Sequence, residues 1–291
     1  MTLKELLKTG EKKLLQAGIT EYDIDAWLLL SYVTGVSRAY YYAHQDKSVP
    51  ENEVQEYIRA SEIRAEHTPL QHITHQAFFM GYEFYVDENV LIPRQDTETL
   101  VSECLNVLEG THAPEILDMC TGSGCILTSL LLLRPDASGT GADISKKALE
   151  VAEKNAVSLG SSERSRFVES DLFSASFFDK KSSHNMYKCD ILVSNPPYIR
   201  TDVIESLAEE VKAHDPRAAL DGGADGLVFY RRITEEAPDY LKAGGHLLFE
   251  IGFDQAEAAA ALMEKAGFLD IRVIKDLSGN DRVVSGRMPL N

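Results

Sequence analysis

The sequence predicts an α/β protein: a doubly wound, mostly parallel sheet with helices on both faces, preceded by a small helical domain. Two observations carry this expectation. From about Ala113 onward, short apolar strand-like segments alternate with amphipathic helical ones, and repeated βα units imply a parallel sheet covered on both sides. Before that, residues 2–65 show helical periodicity and no strand signal. At 291 residues and 44% hydrophobic content, the chain can bury one large core and one small one.

The elements follow in order. Leu3, Leu6, Leu7, Leu14 and Leu15 mark a first helix face, and Ile24, Trp27, Leu28 and Tyr32 a second. Gly18 and Gly35 punctuate these helices, and Pro50 opens another that carries Val54, Tyr57 and Ile58. Residues 76–93, QAFFMGYEFYVDENVLIP, are aromatic and interrupted by Gly81, which reads as a hairpin linker. Beyond it, strands are expected in EILDM, TGADI, RFVES, CDILVSN and HLLFEI. Helices are expected in KKALEVAEKNAVSL, VIESLAEEVKA and LVFYRRITEEAPDYL. After the helix DQAEAAAALMEKAG, the segments IRVIKDL and DRVVSGR are joined by a tight SGN link and form an antiparallel pair. The expected division is 1–75 helical, 76–93 hairpin linker and 94–291 sheet domain.

Charge and composition remove several function classes. The formal net charge is −17 and no Lys/Arg-rich stretch is present, which argues against direct binding of a nucleic-acid backbone. The longest apolar helix candidate, Ile126 to Leu133, is too short to span a membrane. The N-terminus is charged and amphipathic without a signal-peptide core, so a soluble cytoplasmic protein is expected. Cys104, Cys120, Cys125 and Cys189 form no C-x-x-C pair and sit in apolar stretches, as buried thiols in a reducing compartment do. His72 and His75 alone do not make a metal site, and none is expected.

The strand EILDM runs into Cys120, Thr121, Gly122, Ser123 and Gly124 and then an apolar helix. Glycines there permit a tight strand-to-helix turn and close approach of a ligand to the backbone. Asp143 ends the next strand, where an acid can accept from both hydroxyls of a ribose. A dinucleotide fingerprint would need a third small residue, but that position is Leu127. A single nucleoside with an amino-acid tail therefore fits better than a dinucleotide. Asp171, ending the third strand, can accept from an adenine amino group or cap a helix, and Leu172 can cover the adenine face.

Asn195, Pro196, Pro197 and Tyr198 directly follow CDILVS. The carboxyl end of this fourth strand opens at the switch point of a doubly wound sheet, beside the glycine loop. Pro196 holds Asn195 extended and brings no N–H donor. The Asn195 side-chain oxygen and the Pro196 carbonyl can then hold both hydrogens of one –NH₂ group, with Tyr198 flat against a planar amide or base. An amide nitrogen is a poor nucleophile because its lone pair is delocalised into the carbonyl. Holding both hydrogens aims it, and alignment can contribute as much as ~7–11 kcal/mol against about 0.5–1.5 kcal/mol for each neutral hydrogen bond.

Taken together, these residues resemble the release-factor glutamine methyltransferases (the PrmC/HemK family). LIPRQDTETLV (91–101) is similar to that family's interdomain segment, DMCTGSGCI to its cofactor loop and SNPPYI to its catalytic loop. HDPRAALDGGADGL (214–227) and EIGFDQ (250–255) are similar to later family blocks. The resemblance implies a seven-stranded class I methyltransferase sheet, S-adenosylmethionine as cofactor, and methylation at N5 of the glutamine in the Gly-Gly-Gln loop of peptide-chain release factors. It implies cofactor contacts from Cys120 to Gly124, Asp143, Leu172 and Asn195, and a glutamine clamp from Asn195 to Tyr198. Three departures from the family pattern stand out: Cys120 replaces a glycine, Leu172 an aromatic, and Gln95-Asp96 a Pro-Glu pair, which leaves the roles of Arg94 and Glu98 open.

Other readings share parts of this pattern. A glutamine methyltransferase of a ribosomal protein and a nucleic-acid amino-methyltransferase would both use the Asn-Pro-Pro-Tyr logic. The latter must also unstack its base and hold phosphates, which the charge disfavours. A non-catalytic nucleoside-binding protein would not need Asn-Pro-Pro at the switch point.

Overall fold

The computed structural model describes residues 1–179 and 187–290. The chain folds into two compact units. The first is Met1–Gln76 together with Ala208–His214, and the second runs from Ala77 to Leu207 and from Asp215 onward.

The first unit holds α1 (Leu3–Gln16), α2 (Tyr22–Thr34), α3 (Arg38–Ala43), α4 (Glu51–Ala65) and α5 (Leu70–Thr74). Thr2 starts α1 with a capping box shared with Glu5. Leu6, Leu14, Leu29, Leu30 and Tyr57 form a fully covered centre. Tyr57 donates to the Ala26 carbonyl at 3.1 Å and fits because Gly10 carries no side chain: a Cβ there would lie 1.9 Å from its hydroxyl.

The buried face of α2 differs from the one expected. Ile24, Leu28 and Tyr32 are exposed, while Asp25, Ala26, Trp27, Leu29 and Leu30 are buried. Leu15 of α1 is likewise exposed. Both faces of α2 are apolar, so hydrophobicity cannot choose between them. The choice goes with a buried ion pair, Asp25 to Arg64 at 2.7 Å, which periodicity treats as a polar outlier.

In the second unit, β1 (Gln76–Phe79) and β2 (Tyr82–Tyr85) form a hairpin turning on Met80 and Gly81. Both turn residues have positive φ, as a two-residue turn matched to strand twist requires. α6 (Glu98–Val107), unmarked in the sequence reading, precedes β3 (Glu115–Met119). There follow α7 (Cys125–Leu133), β4 (Ser138–Asp143), α8 (Lys146–Leu159), β5 (Ser165–Glu169) and β6 (Cys189–Ser194). The expected helix over VIESLAEEVKA is broken: a 3₁₀ turn, Ile204–Ser206, is followed by extended Leu207 and then α9 (Glu209–His214), which packs in the first unit. Then come α10 (Arg217–Leu220), α11 (Val228–Glu236), β7 (Leu241–Glu250), α12 (Ala256–Lys265), β8 (Leu269–Lys275) and β9 (Asp281–Arg287).

The large sheet has seven strands in the order β5-β4-β3-β6-β7-β9-β8, parallel except for β9, which runs antiparallel to β7 and β8. Alternate residues feed opposite layers. Leu117, Leu192, Leu247 and Phe249 pack with Tyr230, Ile233, Ala259 and Met263, whereas Ile116, Ile191, Val193 and Leu248 pack with Leu100, Val101, Leu127 and Leu130. Among the described residues no helix is long and apolar enough to cross a membrane, and no cluster of His, Cys, Asp or Glu could hold a metal ion.

Candidate active site

The carboxyl ends of β3 and β6 lie side by side, with Met119 in register with Ser194, whose hydroxyl donates to the Met119 carbonyl at 2.5 Å. The two motif-bearing loops therefore leave the sheet next to each other. A cavity of about 500 Å³ opens there, within the range of small-molecule and cofactor sites.

The glycine loop is built from left-handed backbone. Cys120, Gly122 and Gly124 have φ of 61°, 53° and 74°. Inside the turn, the Thr121 hydroxyl donates to Asp118 at 2.6 Å and the Gly124 N–H to the Thr121 carbonyl at 2.9 Å. Asp118 is fully buried, and burial pushes its carboxyl up to about 7 against the pull of the Thr121 hydroxyl and the Leu127 amide. The missing third small residue is compensated in the neighbouring strand. Leu127 packs over Gly139, where a Cβ would come within 2.6 Å of its Cδ1. Close helix–strand packing is thus supplied by a strand glycine.

Asp143 accepts from the Gly122 N–H and the Ser145 N–H, both at 2.9 Å. Burial raises its carboxyl pKa, and those two donors oppose the rise. A carboxylate has about four acceptor sites, so capacity remains for further donors on the cavity side. Cys120, Thr121, Gly122, Asp143, Asp171, Leu172, Asn195 and Pro197 all line the cavity. Ser123, Gly124, Pro196 and Tyr198 are not among its lining residues: the Ser123 carbonyl accepts from Asn155 at 2.9 Å, and Gly124 packs against Ala152. Asp171 is exposed and paired with Arg232 at 2.9 Å. Leu172 is buried, with a positive φ of 52°.

The Asn195 amide nitrogen donates to the Thr97 hydroxyl oxygen at 3.4 Å. Among the described residues, no donor from the chain reaches the Asn195 Oδ1 or the Pro196 carbonyl. Tyr198 is half-buried, and burial, reinforced by the Glu250 charge, pushes its hydroxyl up to about 12. The loop is gripped from elsewhere in the chain. Ile199 exchanges backbone hydrogen bonds with Leu220 and Gly222, and Thr201 bonds Gly223. Gln255 donates to the Tyr198 carbonyl at 2.9 Å. Gly222 and Gly226 are required by this approach, since a Cβ on either would stand 2.7 Å from the Tyr198 Cα or 2.4 Å from its carbonyl oxygen.

Family models match both parts of the sequence: the PrmC N-terminal domain over residues 5–74 and the methyltransferase small domain over residues 96–229. The release factor glutamine methyltransferase of Caulobacter vibrioides is 39% identical over 98% of this chain and 96% of its own. The chain belongs to the release factor glutamine methyltransferase family. The enzyme of that name from Chlorobaculum tepidum is 40% identical over 97% of this chain and 95% of its own. A methyltransferase structure from Pyrococcus furiosus shares the fold, with a TM-score of 0.50 at 16% identity over 72% of this chain and 91% of that one.

Within that family pattern, the three departures acquire physical content. Cys120 takes the left-handed conformation usually left to glycine. Asp96 pairs with Arg282 at 3.1 Å, Glu98 accepts from the Met80 N–H at 2.7 Å, and Arg94 lines the cavity while paired with buried Asp215 at 2.8 Å. Several residues at the site went unmarked in the sequence. Asn155 joins α8 to both the Ser123 carbonyl and the β2 backbone at Tyr85, and Thr97, Glu250 and Gln255 surround the second loop. The EIGFDQ block contains the last two and LIPRQDTETLV contains Thr97, without singling any of them out.

Proposed function

We propose that this chain transfers a methyl group from S-adenosylmethionine to the N5 amide nitrogen of the glutamine in the Gly-Gly-Gln loop of a peptide-chain release factor. The observation that carries the reading is the Asn195 side chain, with its nitrogen held by Thr97 and its oxygen unengaged at the cavity wall. The cavity suits the cofactor chemically. It offers the Asp143 carboxylate to ribose hydroxyls, the apolar Ala142, Ile144 and Leu172 to a purine, and open space at Gly122, where a Cβ would meet nothing within 4 Å. S-adenosylmethionine supplies a methyl group already activated by a positively charged sulfur.

The chain's own residues supply orientation. Asn195 Oδ1 and the Pro196 carbonyl are suited to accept the two N–H bonds of the glutamine amide, which fixes the plane of its nitrogen. Both acceptors also favour the positive charge that grows on that nitrogen as it attacks. Tyr198, neutral at ordinary pH, offers a flat face to the amide. The N-terminal helical domain, with its exposed Ile24, Leu28, Tyr32 and Tyr42, is assigned to docking the body of the release factor, so that remote binding energy helps deliver one glutamine.

The test is to incubate the protein with labelled S-adenosylmethionine and purified release factor. Label should enter the factor and be lost on Gln→Ala in its Gly-Gly-Gln loop. Label in a ribosomal protein or nucleic acid instead would replace the substrate assignment.

A further inference from the structure

Glu250 ends β7 and is 2% exposed. It does not line the cavity, and its Oε2 has no hydrogen-bond partner among the described residues. An uncompensated buried carboxylate is costly, so its retention calls for a reason. Its surroundings supply one. The carboxylate faces the Thr97 hydroxyl and the Asn195 amide, both of which favour its charged form. Arg282, the nearby cation, is already shared between Asp276 and Asp96, each at 3.1 Å.

The arrangement has a direction. An ionised carboxylate only accepts hydrogen bonds, and a threonine hydroxyl has a single hydrogen to give. With the Thr97 hydrogen turned toward the Glu250 charge, which favours it there, the Thr97 oxygen has only lone pairs left for Asn195. Asn195 must then turn its Nδ2 inward, as the 3.4 Å contact records, and its Oδ1 outward. The two ends of an amide are nearly the same in shape, so sterics alone would not fix that choice.

We infer that Glu250 is a positioning residue: through Thr97 it orders the hydrogen-bond chain that holds the Asn195 oxygen toward the substrate nitrogen. This inference rests on the methyl-transfer reading of the site. When Glu250 takes up a proton it can donate to Thr97, whose hydroxyl is then free to donate to Asn195 Oδ1, and the inverted amide is admitted. Burial raises the Glu250 carboxyl to about 7, against the Thr97 hydroxyl and the Arg282 charge. The inverted form is therefore admitted below that pH and excluded above it. The other titratable or charged groups facing Glu250 are Asp96, Arg282, Tyr198, Tyr230 and Cys125, and burial drives the last three upward, away from neutrality.

The experiment uses the full chain and the variants Glu250→Gln and Thr97→Val, with two readouts. In wild type, single-turnover methylation of release factor should rise as pH increases through about 7, and the ¹⁵N-labelled side-chain amide of Asn195 should titrate with the same midpoint. In Glu250→Gln, the rate above that midpoint should fall by about ten- to a hundredfold, the range for one hydrogen bond to a charged group. Both pH steps should vanish, with S-adenosylmethionine affinity and release-factor KM unchanged. Thr97→Val, which leaves the buried charge and its direct pull on the Asn195 amide in place but removes the hydroxyl that relays the order, should shrink the pH step of that amide. A Glu250→Gln enzyme that keeps wild-type rate or pH step overturns the inference, as does an Asn195 amide that does not titrate in wild type. If Glu250→Gln fails to fold, Thr97→Val decides: an Asn195 amide pH step of full wild-type size overturns the inference. A wild-type protein that methylates no release factor yet shows the amide titration would sink the substrate assignment and leave the positioning role standing.

Discussion

The loop after β3 and the loop after β6 leave the same edge of the sheet in register, yet they are held by different means. The glycine loop is mostly local. Thr121 bonds Asp118 three residues away, Gly124 bonds Thr121, and the contacts to Ala142 and Asp143 come from the adjacent strand. The Asn-Pro-Pro-Tyr loop is held by distant chain: Thr97 lies 98 residues before Asn195, and Gln255 lies 57 residues after Tyr198. The difference teaches that a cofactor cradle can be written into one βα turn, whereas a two-acceptor clamp needs the whole domain to position it. Damage to remote parts of the domain should accordingly reach turnover before it reaches cofactor affinity.

The largest expected effect breaks the clamp and spares the cradle. Asn195→Ala removes one of the two acceptors and should cost about 2.7–4 kcal/mol in the barrier, by analogy with the loss of one preorganised polar group. S-adenosylmethionine binding, measured by calorimetry, should be nearly unchanged. Retention of more than half the wild-type turnover would remove the clamp from the mechanism.

The reverse separation is expected at Asp143. Asp143→Ala deletes the carboxylate that holds the Gly122 and Ser145 amides and faces the cavity. Cofactor affinity should weaken by about 1.5–3 kcal/mol, the range for hydrogen bonds to a charged group. At saturating cofactor, kcat should recover most of its wild-type value. Persistent loss at saturation would mean that the two loops are not separable in function.

These differences also explain what could be read from the sequence. The alternation of strands and helices, the glycine turn and the Asn-Pro-Pro-Tyr run are local patterns, and local patterns are visible in a linear chain. The inward face of α2 was not legible, because Asp25 is buried only by virtue of an arginine 39 residues away. Nor could VIESLAEEVKA be split by pattern: its helical periodicity is intact, but the chain turns extended at Leu207. Asn155 reads as an ordinary helix residue until the β2 backbone and the Ser123 carbonyl are seen to converge on it. Thr97 and Glu250 lie in the blocks LIPRQDTETLV and EIGFDQ, but nothing in either block ties one to the other, since their meaning comes from Asn195.

A third variant tests the remote grip on the clamp. Gly226 has a φ of 73°, and a Cβ there would stand 2.4 Å from the Tyr198 carbonyl and 2.6 Å from the Gln255 Nε2. Gly226→Ala should push Tyr198 out of line at a cost of about 1–3 kcal/mol for the overpacked contact. The expected reading is a kcat lower by about tenfold with an unchanged cofactor Kd. An equal fall in both quantities would mean that this glycine supports the sheet as a whole, and the contrast between the loops would lose its best remote example.

The smallest effect is expected at Cys120, the residue that departs from glycine inside the cradle. A non-glycine residue in the left-handed region costs roughly 1–2 kcal/mol, so Cys120→Gly relieves strain at a φ of 61°. Two terms oppose the gain. The glycine widens the unfolded ensemble by about 0.4–1 kcal/mol, and the thiol, which packs beside the Leu117 and Leu192 layer, gives up its contacts. Net stability should therefore move by no more than about 1 kcal/mol, a small shift in Tm. The loop already has the glycine-like conformation, so its shape should not change, and cofactor affinity should stay within about threefold, roughly 0.6 kcal/mol on the scale where tenfold is about 1.4. Calorimetry and thermal melting on the purified pair read both quantities. A tenfold weakening on Cys120→Gly would mean that the side chain itself contributes to cofactor binding, and the cradle would then depend on more than its backbone.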